Sequence, residues 1–298
     1  MTRTSTVSAA VALCATVALA GCDEAPEAAE PPPPTDTVTT ARQEQAFSGT
    51  EKIQVDGLAV NVSCSGEPTG GRPVIVLLHG AGDGVDKLAD LQRTLSEEDM
   101  VCSYDRLGAG ASDKPAGPQI LEDTGEVLTA VIDRVAGDAP VVLAGHSLGG
   151  LIAARYAPDH QDRVAGLVLL DATSPTQAAD LEAQIPADAT GPAADVRAQT
   201  LAMLAGQNPE LLTVPDGEVR AAGDIPVEVV QHGKPYLAAL PEYGPGLEQA
   251  WAEGQRAWLT VSSASNLTTA AGSEHYVYLD EPELVVRAIH RVADEAVS

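Results

Sequence analysis

Hydrophobic positions change rhythm several times along the chain. Residues 53–62, Ile-Gln-Val-Asp-Gly-Leu-Ala-Val-Asn-Val, alternate around Asp56-Gly57, the period-two pattern of a hairpin closed by a tight turn. Pro73-Val-Ile-Val-Leu-Leu-His79 is instead a continuous aliphatic run, as in a strand covered on both faces. Helical spacing around residues 86–98 leads to a strand at 100–104, then a helix over 121–136. Pro140-Val-Val-Leu-Ala-Gly145 reads as a strand, 148–157 as a helix and 164–170 as a strand. From Ser174 to about Asp224 the pattern becomes Ala-rich, acidic and helical, with Gly and Pro breaks. Strand rhythm resumes at 225–230, followed by a helix over about 247–262 and a short strand at 266–270. A closing helix covers 281–292, with Pro282 near its first turn.

Strands alternating with helices after an opening hairpin predict an α/β fold, a mostly parallel central sheet with flanking helices. The 174–224 segment is then an insertion after strand six, read as a helical cap.

The N-terminus follows a different logic. Arg3 precedes an apolar stretch from Ala9 to Ala20 that ends Leu19-Ala20-Gly21-Cys22, the layout of an export signal. The tetrapeptide resembles the bacterial lipobox, in which the Cys is lipidated and becomes the mature N-terminus. Residues 1–21 are therefore expected to be a lipoprotein signal peptide. Residues 22–46, acidic and with Pro31 to Pro34 consecutive, are expected to be a tether, and 47–298 the folded domain. Cys14 leaves with the signal and Cys22 takes lipid, so Cys64 and Cys102 remain. An exported, oxidising setting favours their pairing over two separate buried thiols.

Charge narrows the partners. With 43 acidic and 17 basic residues the formal charge is −26, which opposes nucleic-acid binding and docking on anionic lipid through protein charge. Membrane association is expected through the lipid anchor only. Aromatics make up 3 % of the chain, with Phe47 the single Phe, so the core must be aliphatic.

Gly145-His146-Ser147-Leu148-Gly149-Gly150 carries the sharpest chemistry. It lies between an aliphatic strand and a helix, the context a Gly-x-Ser-x-Gly nucleophile elbow requires. A serine hydroxyl needs a base to take its proton. Of the six histidines, His79 and His146 sit inside other motifs, His160 and His290 lie on or near helices, and His232 follows a strand. His275, between the last strand and the last helix, is the candidate base.

On these residues the chain from about 50 to 298 resembles the α/β-hydrolase fold family. His79-Gly80-Ala81-Gly82 resembles its oxyanion loop. Tyr104-Asp105-Arg106-Leu107-Gly108-Ala109-Gly110-Ala111-Ser112 resembles its Asp-Arg-x-Gly-x-Gly-x-Ser turn, which is usually structural. His275 with Asp280-Glu281-Pro282 resembles its C-terminal signature, with Glu274 in place of the usual glycine. The order Ser, acid, His is also that of the family.

The resemblance implies a serine hydrolase with Ser147 as nucleophile, His275 as base and backbone N–H groups of Ala81 and Leu148 as the oxyanion hole. The family's acid usually follows strand seven, but no carboxylate stands there until Glu242. Asp171, at the end of strand six, is the position some members use, so Asp171 is placed first and Glu242 second. No cofactor is implied, and no Cys/His spacing in the mature chain suggests a metal. The expected partner is a small-molecule ester or amide substrate. An aminopeptidase would need a cap carboxylate such as Glu182, Asp195 or Glu210, and a non-catalytic binding lipoprotein would keep only the scaffold.

Overall fold

The computed structural model describes residues 48–297. The signal peptide, Cys22, the tether and Phe47 lie outside the described residues. Eight strands form one sheet: β1 (Gly49–Val55), β2 (Leu58–Ser65), β3 (Ile75–Leu78), β4 (Val101–Tyr104), β5 (Val141–His146), β6 (Val164–Leu170), β7 (Pro226–His232) and β8 (Ala264–Ala270). Their order is β1-β2-β4-β3-β5-β6-β7-β8. The β1–β2 and β2–β4 pairs are antiparallel and the other five are parallel, as the rhythm of the sequence predicts. Among the described residues no helix is long and apolar enough to cross a membrane.

The aliphatic runs are strands because both faces are covered. Side chains alternate across a strand, so Val76 and Leu78 of β3 enter one core and Ile75 and Leu77 the other. Helices α2 (Leu121–Ala136) and α3 (Leu148–Tyr156) close the first core. Helices α1 (Val85–Leu95) and α8 (Pro282–Glu295) close the second. Leu88, Leu91 and Leu95 of α1 are buried at three- and four-residue spacing, one stripe of a helix. The first N–H of α1 donates to the Asp105 carboxylate at 2.8 Å, so the Asp-Arg turn satisfies a helix end.

Cys64 and Cys102 face each other in register on β2 and β4 and form a disulfide. At a sequence separation of 38, the loop-entropy relation assigns the cross-link about 4 kcal/mol.

The insertion carries its helices in its first part. Helices α4 (Gln177–Gln184) and α5 (Pro192–Leu204) form, but residues 207–224 run as irregular chain. Gly206, Pro209, Pro215 and Gly217 interrupt any helical pattern there. Leu212, Val214 and Ala222 pin the segment to the core instead. After β7 comes α6 (Gly244–Ala257), then a short 3₁₀ turn, β8 and the one-turn α7 (Val277–Asp280).

Candidate active site

Every candidate residue stands beyond the carboxyl end of a parallel strand, where open α/β sheets place ligands. Residues 79–81 follow β3, Ser147 follows β5, Asp171 follows β6 and His275 follows β8.

The elbow is built by close backbone approach. A Cβ at Gly145 would meet the Gly149 carbonyl oxygen at 2.4 Å, and one at Gly149 would meet that of Leu78 at 2.4 Å. Only glycine admits this contact between strand and helix. Ser147 itself takes φ 50° and ψ −118°, a strained conformation for a side-chain-bearing residue. It precedes α3, whose first residue Leu148 has no acceptor for its N–H within the helix.

Ser147 and His275 line one cavity of about 200 Å³ with Thr173, Tyr236, Leu237, Leu247 and Trp251. Asp180, Leu181, Val196 and Met203 of the insertion also line it. A larger cavity of about 520 Å³ lies against α2 and α3, lined by Glu122, Tyr156 and Arg220 among others and by none of the candidate residues.

Asp171 is fully buried and faces His275, with Oδ2 2.7 Å from Nδ1. Glu242, the other candidate acid, is exposed beside Tyr243. The structure thus brings Ser147, His275 and Asp171 together and leaves Glu242 aside. Trp251 donates its indole N–H to Asp171 Oδ1 at 2.9 Å. Gln255 and Trp258 hold the carbonyls of Ala172 and Thr173 at 2.6 and 3.1 Å.

One partner escapes sequence reasoning. His232, the last residue of β7, places Nδ1 2.9 Å from both Asp171 oxygens, and its backbone N–H donates to Oδ1 at 3.1 Å. Its Nε2 stands 2.9 Å from Glu248 of α6. Burial alone would raise the Asp171 carboxyl, but the hydrogen bonds and charges of His232 and His275 outweigh it and hold the group at about 2. The faint signal in the sequence is a histidine closing the strand after which the family's carboxylate is missing.

Two other histidines serve the scaffold. His146 Nε2 donates to the His275 carbonyl at 3.0 Å, fastening that loop to the elbow. His79 Nδ1 donates to the Gly80 carbonyl at 2.8 Å while Nε2 accepts the Arg106 N–H at 3.2 Å. Arg106 also donates to the carbonyls of His79 and Gly80 at 2.6 and 3.0 Å and pairs through two bonds with buried Glu210. Glu210 is therefore committed to Arg106. Glu182 pairs with Arg197 at 3.1 Å, and Asp195 is exposed and outside the cavity wall. Asp180 lies in that wall, but its oxygens accept from Ser174 and Thr176.

The Asp280 carboxylate accepts from the Glu274 N–H at 2.9 Å and from Ser273 at 3.2 Å, which fixes the His275 loop. Among the described residues, the non-glycine positions of positive φ are 56, 147, 171, 211 and 242. Glu274 is not one of them, so its backbone does not require the family's glycine.

The sequence profile described as the alpha/beta hydrolase fold matches residues 73–267. The human (Lyso)-N-acylphosphatidylethanolamine lipase is 34 % identical over 103 residues, 34 % of this chain and 30 % of that protein. The chain spans less than half the length of the curated relatives it matches. Among solved structures, the enol-lactonase from Burkholderia xenovorans LB400 aligns with a TM-score of 0.56 at 20 % identity, over 82 % of this chain and all of that one. A thermophilic esterase from Thermogutta terrifontis aligns with a TM-score of 0.59 at 18 % identity, over 84 % of this chain and all of that one. The chain belongs to the alpha/beta hydrolase fold family.

Proposed function

We propose that this hydrolase uses Ser147 as its nucleophile and cleaves a carboxylic ester of a small or medium substrate through an acyl-enzyme. One arrangement carries the reading. Ser147, on its positive-φ turn, opens into the same cavity as His275, whose Nδ1 faces a buried carboxylate at 2.7 Å.

With its Nδ1–H donated to Asp171, neutral His275 offers Nε2 as the proton acceptor. It takes the Ser147 proton as Oγ attacks the ester carbonyl carbon, and Asp171 stabilises the imidazolium. The N–H groups of Leu148 and Ala81 receive the oxyanion, where one such donor contributes about 3–4 kcal/mol to the transition state. Collapse of the intermediate expels the alcohol with the proton from His275. Water, deprotonated by the same ring, then releases the acid.

Leu181, Met203, Leu237 and Leu247 around a cavity of about 200 Å³ suit a short acyl chain. The human relative's name, a lipase, supports an ester. Glu182 and Glu210 are engaged in ion pairs and Asp195 lies outside the cavity wall, which supports an ester over an aminopeptidase substrate. The lipobox-like Leu19-Ala20-Gly21-Cys22 supports a place outside a bacterial membrane, held by lipid on Cys22.

One experiment tests both parts: an impermeant fluorophosphonate applied to intact cells expressing the full chain. Label in the membrane fraction is expected, lost in Ser147→Ala and moved to the soluble fraction in Cys22→Ser. A folded full-length protein that takes no label and cleaves no p-nitrophenyl butyrate would overturn the serine-hydrolase reading. Membrane-bound label in Cys22→Ser would overturn the anchor.

A further inference from the structure

Behind Asp171 lies a second carboxylate–histidine contact that the hydrolytic scheme leaves unused. Asp171 and Glu248 stand on opposite sides of the His232 ring, each 2.9 Å from a different ring nitrogen. Ionised carboxylates only accept hydrogen bonds, and neutral imidazole has one N–H and one lone pair. A neutral ring would set that lone pair against carboxylate oxygen at 2.9 Å, so both nitrogens must carry hydrogen.

We propose that His232, clamped as an imidazolium between Asp171 and Glu248, is a positioning residue for the hydrolytic site that orients the Asp171 carboxylate toward His275 and cancels one of the two negative charges behind it. The proposal rests on the hydrolase reading above.

Asp171 is fully buried, and the side chains of His232 and Glu248 are 6 % and 16 % exposed, so water does little to screen the clamp. The groups packed on the ring are Asp171 from the end of β6, Glu248 and Trp251 from α6, and Tyr236 from the loop after β7. Trp251 does not titrate. Burial and the neighbouring negative charges push the Tyr236 hydroxyl upward, so it stays neutral. Burial also works against the His232 charge, but the bonds and charges of Asp171 and then Glu248 carry the ring above its ordinary value. Glu248 further accepts the N–H groups of Leu237 and Ala238 at 2.6 and 3.2 Å. The clamp therefore joins the cavity wall to the acid.

The charge count gives opposite signs for two variants. Asp171, His232 and Glu248 together carry one negative charge. His232→Gln makes it two, favours the His275 imidazolium and moves the acidic limb of kcat/KM to higher pH by about one unit. Glu248→Gln removes the net charge and moves the limb to lower pH by a smaller amount. The backbone N–H of residue 232 still donates to Asp171 in the first variant, and the amide oxygen introduced at position 248 can still accept in the second. A residue that only supports the loop would lower activity without moving the limb in opposite directions.

The test pairs these profiles, measured with p-nitrophenyl butyrate on the full chain, with nitrogen NMR of the His232 ring, which needs no turnover. Both ring nitrogens protonated at pH 7 and limbs displaced in opposite senses are expected. A singly protonated His232 at pH 7, or limbs unmoved in both variants of a protein that still labels at Ser147, overturns the clamp alone. Loss of Ser147 labelling in the folded wild-type protein overturns the hydrolase reading, whatever the state of His232.

Discussion

The two sides of the cleft bury histidine in opposite charge states. On the nucleophile side, His79 and His146 are each 1 % exposed. Their hydrogen-bonded acceptors are the backbone carbonyls of Gly80 and His275. Burial, reinforced by the charge of Arg106 on His79 and of His275 on His146, holds both rings below their ordinary value, His146 at about 3. On the acid side, His232 is nearly as enclosed, yet it faces two carboxylates and is held above that value. Burial disfavours charge in every case, and the chemistry of the acceptor decides whether it prevails. The histidines of one side are thus kept neutral against backbone carbonyls, and the histidine of the other is held charged between carboxylates.

The largest expected effect breaks the acid side. Asp171→Asn replaces an acceptor of four donors with an amide that must itself donate. It should lower kcat by about 10⁴-fold, because His275 loses the tautomer the reaction needs. It also removes one anionic partner of His232, and urea unfolding should report a loss of about 3 kcal/mol or more. Near-wild-type turnover in this variant would show that the site is not organised around Asp171.

A gentler perturbation separates the two sides by pH. The folded-state values of His79 and His146 are depressed, so the unfolded chain binds protons first as pH falls below about 6.5. Stability should fall from there down to about pH 3 for His146. Asp171, held at about 2, adds its loss between about pH 4 and 2. His232 has the opposite sign: its contribution is complete below about pH 6.5 and disappears as pH rises through its raised value. Urea midpoints followed from about pH 9 to about pH 3 should decline at both ends, by a few kcal/mol on the acid side. His232→Gln should abolish the alkaline decline and spare the acid one. An unchanged alkaline decline in that variant would remove His232 as its source.

The same contrast explains what the sequence makes legible. β3 and β5 are readable because two covered faces leave an uninterrupted aliphatic run, and the elbow because its residues are contiguous. Asp171 can be placed by its position after a strand. The donors that hold it come from 61, 80 and 104 residues away, distances over which no local pattern extends. His232 reads only as a residue at the end of a strand, since its meaning depends on Glu248 across a turn and on the aim of α6. The path of residues 205–224 is illegible for another reason. Gly206, Pro209, Pro215 and Gly217 rule out helix there, but the path itself is set by tertiary contacts through Leu212 and Val214.

The smallest expected effect is the sharpest control on the acid assignment. Glu242 follows β7 more nearly in the family's order than Asp171 does, and it also has positive φ, at 71° against 44°. Backbone strain therefore does not distinguish the two; burial and partners do. Asp171 is fully buried among four donors, whereas Glu242 is exposed on a loop, where loss of one charge typically changes stability by less than about 0.5 kcal/mol. In a chain of net charge −26, that change should if anything relieve repulsion. Glu242→Gln should accordingly keep kcat, the pH profile and the urea midpoint at wild-type values. A large fall in kcat with an unmoved midpoint would mean that the 233–243 loop swings its carboxylate to His275 during turnover, and the acid role would pass from the buried residue to the exposed one.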